Sequence, residues 1–120
     1  MFDPQGERGA FIKGLEPQGD ELIIEKRMPN AFNDTGLQKA LENLGSLDVI
    51  VCGFMSHSSV STTVRAAKDY GLRCTLVSDA CATRDLPTAD GIISAEQVQK
   101  TEMAIMNDNF ATLTLTQNLI

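Results

Sequence analysis

The segment that decides the fold is "LDVIVCGFMSHSSVSTTVRAAKDYGLRCTLVS", residues 47–78. It opens with a continuously apolar run after Asp48, which predicts a strand buried on both faces. A helix is predicted over residues 58–70, with Tyr70 on its inward face, and Gly71 ends it before a second buried strand at residues 72–78. A strand, a helix and a strand in this order predict a βαβ unit, and therefore a parallel sheet.

The flanking segments continue the alternation of strands and helices. Strands are predicted at residues 21–26 and 110–116, and helices at residues 35–44 and 94–108. Ser94 and Gln97 fit a capping box at the start of the second of these helices. The last strand alternates strictly between apolar residues and threonines, which is typical of a strand at the edge of a sheet. Residues 1–120 are therefore predicted to form one α/β domain with a parallel sheet.

Composition and charge narrow the range of partners. The 120 residues carry a net charge of −6, which argues against nucleic acid and anionic membranes, because both require a basic face. No apolar stretch reaches the length of a membrane span, and the N-terminus lacks the pattern of a signal peptide. Three cysteines without CxxC spacing and a single histidine predict buried, reduced thiols, a cytoplasmic location, and neither metal nor cofactor.

Candidate site residues follow three predicted strands, because ligands of open parallel sheets bind at the carboxyl ends of the strands. These residues are Glu25 and Lys26, the segment 53–59, and Ser78 with Asp79. Lys26 fits a solvated strand end or a cation that stabilises a neighbouring nucleophile or an oxyanion. The residues alone show no competent nucleophile.

The serines after the first buried strand allow two interpretations. Serine caps helix N-termini well, and the free N–H groups at a helix start also form an oxyanion site. His57 is two residues from Ser59, which is a poor geometry for a base, so it is interpreted as a loop or packing residue. Asp79 is interpreted as a capping or turn residue.

The stretch "VIVCGFMSHSSVSTTVRAAKDYGLRCTLVSDACATRDLP" (49–87) resembles the signature of the isochorismatase-like cysteine hydrolases, which include isochorismatases, nicotinamidases and N-carbamoylsarcosine amidases. That signature is an apolar strand, then G-x-x-[TS]-x-x-C-V-x-x-T, a helix, a strand and Asp-Ala. Two further stretches are similar to the family's lysine segment and to its last helix and strand: "ELIIEKRMPNAFNDTGLQKAL" (21–41) and "ISAEQVQKTEMAIMNDNFATL" (93–113).

The resemblance implies a Cys-Asp-Lys site on a Rossmann-like, three-layer αβα fold. Lys26 matches the family's lysine, and Ser59 occupies the position of the nucleophilic cysteine. The backbone N–H groups of Met55 and Ser59 match the oxyanion hole, where the family typically has a cis peptide, here Phe54–Met55. Because a hydroxyl is harder to deprotonate than a thiol, Ser59 implies impaired catalysis. The sequence fits a natural serine and an engineered one equally.

The resemblance also implies that the chain is N-terminally truncated and lacks the first two strands of the family fold. The family's aspartate ends the first of those strands. Such a sheet would need a partner strand, a rearranged order or the missing residues. The expected function is hydrolysis of an amide, carbamoyl or related small molecule by a homo-oligomer. The alternative is a non-catalytic relative that binds a small molecule or a partner subunit.

Overall fold

Three parallel strands form the main sheet in the computed structural model, which describes residues 3–120. They are β1 (Asp48–Phe54), β2 (Arg73–Ala82) and β5 (Ala111–Thr114), with β2 in the middle. Two short strands, β3 (Leu86–Thr88) and β4 (Gly91–Ile93), form a separate antiparallel pair. The predicted α/β class and parallel sheet are confirmed, and β5 is an edge strand of this sheet, as its alternation indicates.

Three α-helices pack with the sheet around one core. They are α1 (Leu37–Leu44), α2 (Ser61–Asp69) and α3 (Ala95–Asn109). Ser94 caps α3 by accepting a hydrogen bond from the Gln97 N–H at 3.2 Å, which the sequence predicted. The buried core residues come from the segment before α1, from the turn before α2, and from α2, β2 and α3, and they are Phe32, Val60, Val64, Ala67, Cys74, Leu76, Met103 and Met106.

The predicted strand at residues 21–26 is wrong. This segment has no regular secondary structure and pairs with no strand among residues 3–120, and Leu22 and Ile23 are exposed. Its apolar residues satisfy the local pattern of a strand, but a strand also requires a hydrogen-bonding partner, which local pattern does not specify.

The prediction that β1 is buried on both faces is also wrong. Exposure alternates along the strand: Val49 and Val51 pack against the core, whereas Ile50 is 64% exposed and Phe54 60% exposed. Cys52 lies on the exposed side, so it is not the buried thiol that its apolar surroundings predicted. Tyr70, predicted to face inward, is likewise exposed.

The ladder between β1 and β2 contains an irregularity near the carboxyl ends of the strands. Pairing is regular from Asp48↔Arg73 to Val51↔Leu76, but the next pair is Gly53↔Cys81. Two steps along β1 therefore match five steps along β2, so β2 carries three additional residues here. This bulge explains why β2 extends to Ala82, beyond the predicted end at residue 78.

Candidate functional site

Lys26 and Ser59 meet just beyond the carboxyl end of β1. Lys26 Nζ lies 3.2 Å from Ser59 Oγ, and it also donates to the carbonyl oxygens of Met28 at 2.8 Å and Pro29 at 3.2 Å. An ammonium group has three hydrogens, and these three acceptors use all of them. The two residues that the resemblance placed in a catalytic site are therefore in direct contact, although Lys26 does not end a strand.

The segment after Lys26 is fixed to α2 by Thr63. The Thr63 hydroxyl accepts a hydrogen bond from the Ala31 N–H at 3.0 Å and donates to the Pro29 carbonyl at 3.4 Å. Because Pro29 also accepts from Lys26, the lysine and the first turns of α2 are held in one frame.

We call residues 55–60 the Ser59 turn. Ser56–Val60 form a single π-helical turn that leads into α2, instead of the regular helix start predicted at residue 58. The peptide bond before this turn, Phe54–Met55, is cis, as the resemblance implied.

Among residues 3–120, the backbone hydrogen bonds give the Met55 and Ser59 N–H groups no partner outside the Ser59 turn. The Met55 carbonyl accepts from the N–H groups of Ser58 and Val60. The Met55 and Ser59 N–H groups are the two donors that the resemblance assigned to the oxyanion hole.

The Ser59 turn is tied to the end of β2 by two side chains. His57 Nδ1 lies 2.6 Å from Thr83 Oγ1. Ser56, which is only 1% exposed, lies 2.6 Å through its hydroxyl from Gln99 Oε1 and 3.1 Å from the Ala82 carbonyl. His57 therefore orients the turn through Thr83, in agreement with its interpretation as a packing residue.

Sequence reasoning missed Gln99 and Thr83. Gln99 lies on α3, 43 residues from Ser56, and Thr83 lies 26 residues from His57. The only local signal was that a polar Gln99 follows the apolar Val98, and such polar residues are common on helices.

Asp79 lies inside β2, so the prediction of a turn residue in a loop is wrong, and its side chain instead holds the chain just after β5. Its carboxylate accepts from the Thr116 N–H at 2.8 Å and from the Thr116 hydroxyl at 2.9 Å. These two hydrogen bonds, chiefly the backbone one, lower the pKa of Asp79.

Asp79 is expected to stabilise the fold above pH 4 and to lose this effect in acid. Because the pKa is lowered in the folded chain, the contribution is complete above the ordinary value of about 3.8 and disappears as the pH falls through the folded value. Urea unfolding of the unmodified chain and of Asp79→Asn should therefore differ at pH 7 and converge towards pH 3. Asp20→Asn, at an exposed position, is the matched control, and a difference that grows in acid would contradict the assignment.

The cysteines are not part of the Lys26–Ser59 contact. All three are free thiols, with Cys74 buried and Cys81 half-buried. Burial raises the pKa of both thiols, which keeps them protonated and unreactive near neutral pH.

Other kinds of site have little support in the part of the chain that the structure describes. Residues 3–120 contain no group of three or more His, Cys, Asp or Glu side chains placed to hold a metal ion, and none of their helices is long and apolar enough to cross a membrane. Two pockets, of about 250 and 360 Å³, lie beside α1, and neither is lined by Lys26 or Ser59.

Fold and site together define an α/β protein in which a helical turn at the carboxyl edge of a parallel sheet is in contact with a lysine. The model of the isochorismatase domain family matches residues 1–118. The chain therefore belongs to the isochorismatase family.

Individual relatives agree with this assignment. An uncharacterized isochorismatase family protein of Bacillus subtilis, YddQ, is 39% identical over 98% of this chain and 65% of its own length. Nicotinamidase 3 of Arabidopsis thaliana is 42% identical over 54% of this chain and 33% of its own length. The crystal structure of an isochorismatase from Pseudomonas putida superposes with a TM-score of 0.96 at 65% identity, covering 98% of this chain and 61% of that one. The chain thus spans less than two thirds of the length of YddQ and of the Pseudomonas protein.

Proposed function

We propose that this chain carries part of a hydrolase site that acts on the carbonyl carbon of a small amide or carbamoyl compound, and that Ser59 makes this activity slow. The observation that carries the proposal is the contact of Lys26 Nζ with Ser59 Oγ, next to the N–H groups of Met55 and Ser59, which bond to nothing outside the turn among residues 3–120. The family membership and the likeness to a nicotinamidase, which by its name acts on an amide, support this substrate class.

In the proposed reaction, Ser59 Oγ bonds to the carbonyl carbon while the carbonyl oxygen takes up negative charge. The Met55 and Ser59 N–H groups donate to that oxygen. The Ser59 proton passes to solvent water, and as the carbon–nitrogen bond breaks, water gives a proton to the leaving nitrogen, which departs as amine or ammonia. Water then hydrolyses the resulting ester, which releases the acid and returns the hydroxyl to Ser59.

The slow step is the removal of the Ser59 proton. Lys26 donates all three of its hydrogens, so it stabilises negative charge on Ser59 Oγ but does not accept the proton. Among residues 3–120, no carboxylate and no imidazole hydrogen-bonds to Ser59. A hydroxyl without a base is a weak nucleophile.

This arrangement also favours a second function, the binding of a carbonyl compound without turnover. An ammonium that donates to Ser59 Oγ leaves the serine hydrogen free to bind a ligand oxygen, together with the two N–H groups. A non-catalytic relative would use the same contacts to hold its ligand.

Assays of the purified chain with nicotinamide, N-carbamoyl compounds and isochorismate separate the two functions. The hydrolase proposal predicts slow release of ammonia or product that Ser59→Ala abolishes and that Ser58→Ala, the matched control one residue away, leaves unchanged. Turnover that survives Ser59→Ala would exclude Ser59 as the nucleophile. Saturable binding without any turnover would favour the second function.

A further inference from the structure

We propose that Gln99 is a positioning residue for the Ser59 turn, because its side-chain amide holds Ser56 against the bulge of β2 and so sets where Ser59 meets Lys26. This inference rests on the proposed function, since it assigns Gln99 a role in placing the Lys26–Ser59 contact. Gln99 itself touches neither Lys26 nor Ser59 in the structure; it acts through Ser56.

The first observation is that the orientation of the Gln99 amide is fixed by its partners. Gln99 Nε2 lies 3.2 Å from the Ser78 carbonyl and 3.3 Å from the Cys81 carbonyl. Both partners are acceptors, so the two amide hydrogens must point at them. The carbonyl oxygen Oε1 then necessarily faces the Ser56 hydroxyl.

The second observation is that Ser56 has a single hydrogen for two nearby acceptors. Its hydroxyl lies 2.6 Å from Gln99 Oε1 and 3.1 Å from the Ala82 carbonyl. Because the shorter contact is with Gln99, the hydroxyl donates chiefly to Oε1. Ser56 is buried, so water cannot replace this bond without opening the turn.

The third observation is where these hydrogen bonds lie in the ladder. Ser78 falls in the stretch of β2 that has no partner in β1, because the register jumps from Val51↔Leu76 to Gly53↔Cys81. The Gln99 amide therefore supplies a donor that the β1–β2 ladder does not supply at Ser78. One side chain of α3 thus holds the β2 bulge and Ser56 of the Ser59 turn at the same time.

The place of Ser56 in the sequence links its hydrogen bond with Gln99 to the position of Ser59. Ser56 is next to Met55, whose N–H is one oxyanion donor, and three residues before Ser59. A turn released at Ser56 would be free to move Ser59 relative to Lys26, whose own position is set separately through Pro29 and Thr63. A shift of an ångström or so breaks a contact of 3.2 Å.

The test uses the full chain with Ser59→Cys as a reporter and Cys52→Ser to remove the exposed thiol. The rate of alkylation by iodoacetamide against pH gives the pKa of the introduced thiol. A nearby ammonium lowers that pKa, so Gln99→Met should raise it by about one unit and slow alkylation at pH 7 by about tenfold. Gln97→Met, the same substitution at an exposed position of the same helix, should leave the profile unchanged.

Two further variants keep the result decisive. Ser56→Ala removes the hydroxyl but leaves the Gln99 bonds to β2, and it should raise the thiol pKa in the same direction even if Gln99→Met does not fold. A lower melting temperature with an unchanged pKa in both variants would overturn the inference, since that is the result of a purely structural role. Lys26→Met distinguishes the two proposals: if it raises the pKa and Gln99→Met does not, only the positioning role fails. If Lys26→Met has no effect, the proposed function fails, and this inference fails with it.

Discussion

Ser59→Cys is expected to raise the rate of amide hydrolysis by on the order of 100-fold at pH 7. A cysteine with a pKa of about 8.5 is already a few per cent thiolate at this pH, whereas a serine hydroxyl is almost entirely protonated. The Lys26 ammonium, 3.2 Å from the Oγ that the sulfur would replace, should increase the thiolate fraction further. Ammonia release from nicotinamide and from N-carbamoyl compounds, followed from pH 5 to 9, measures the effect.

The same experiment carries its own controls. Adding Lys26→Met should remove most of the gain and move the acidic limb of the pH profile to higher pH, because the thiolate loses its nearby cation. Ser58→Cys places a thiol one residue from the site. The Ser58 N–H is bonded to the Met55 carbonyl. This variant should not increase the rate of hydrolysis. If Ser59→Cys binds these substrates but remains inactive, the binding function is the correct one.

The sequence predicted the parts of the fold that depend on local pattern. Residues close together in the chain determine helices α1 and α2, the Ser94 cap of α3 and the edge position of β5. The contact of Lys26 with Ser59 spans 33 residues, and only the family resemblance identified it.

What could not be predicted depends on partners distant in the chain. Residues 21–26 have the composition of a strand, but no described strand pairs with them. The bulge of β2 and the β3–β4 hairpin lie in a polar stretch without apolar periodicity, so the sequence indicated only a connection there. Gln99 was unremarkable until its two carbonyl partners were seen to come from that bulge.

Leu76→Ala is expected to cost about 3 kcal/mol of unfolding free energy. Leu76 is fully buried in the middle strand of the sheet, in one core with residues of α2 and α3, so the substitution removes apolar contacts and leaves a cavity. Urea unfolding at pH 7, followed by circular dichroism, measures the loss.

Ile50→Ala is the matched comparison, because Ile50 lies on the neighbouring strand but is 64% exposed. Since little apolar surface is buried there, the expected loss of unfolding free energy is below about 1 kcal/mol.

A loss close to that of Leu76→Ala would mean that the outer face of β1 is covered in solution. Sedimentation velocity of both variants would then show whether a second copy covers it, because Ile50→Ala would weaken the dimer and Leu76→Ala would not. With a small cost and a monomeric chain, the face of β1 that carries Ile50 and Phe54 is free, and the stability of the fold comes from the opposite face, where Val51 and Leu76 pack in the core.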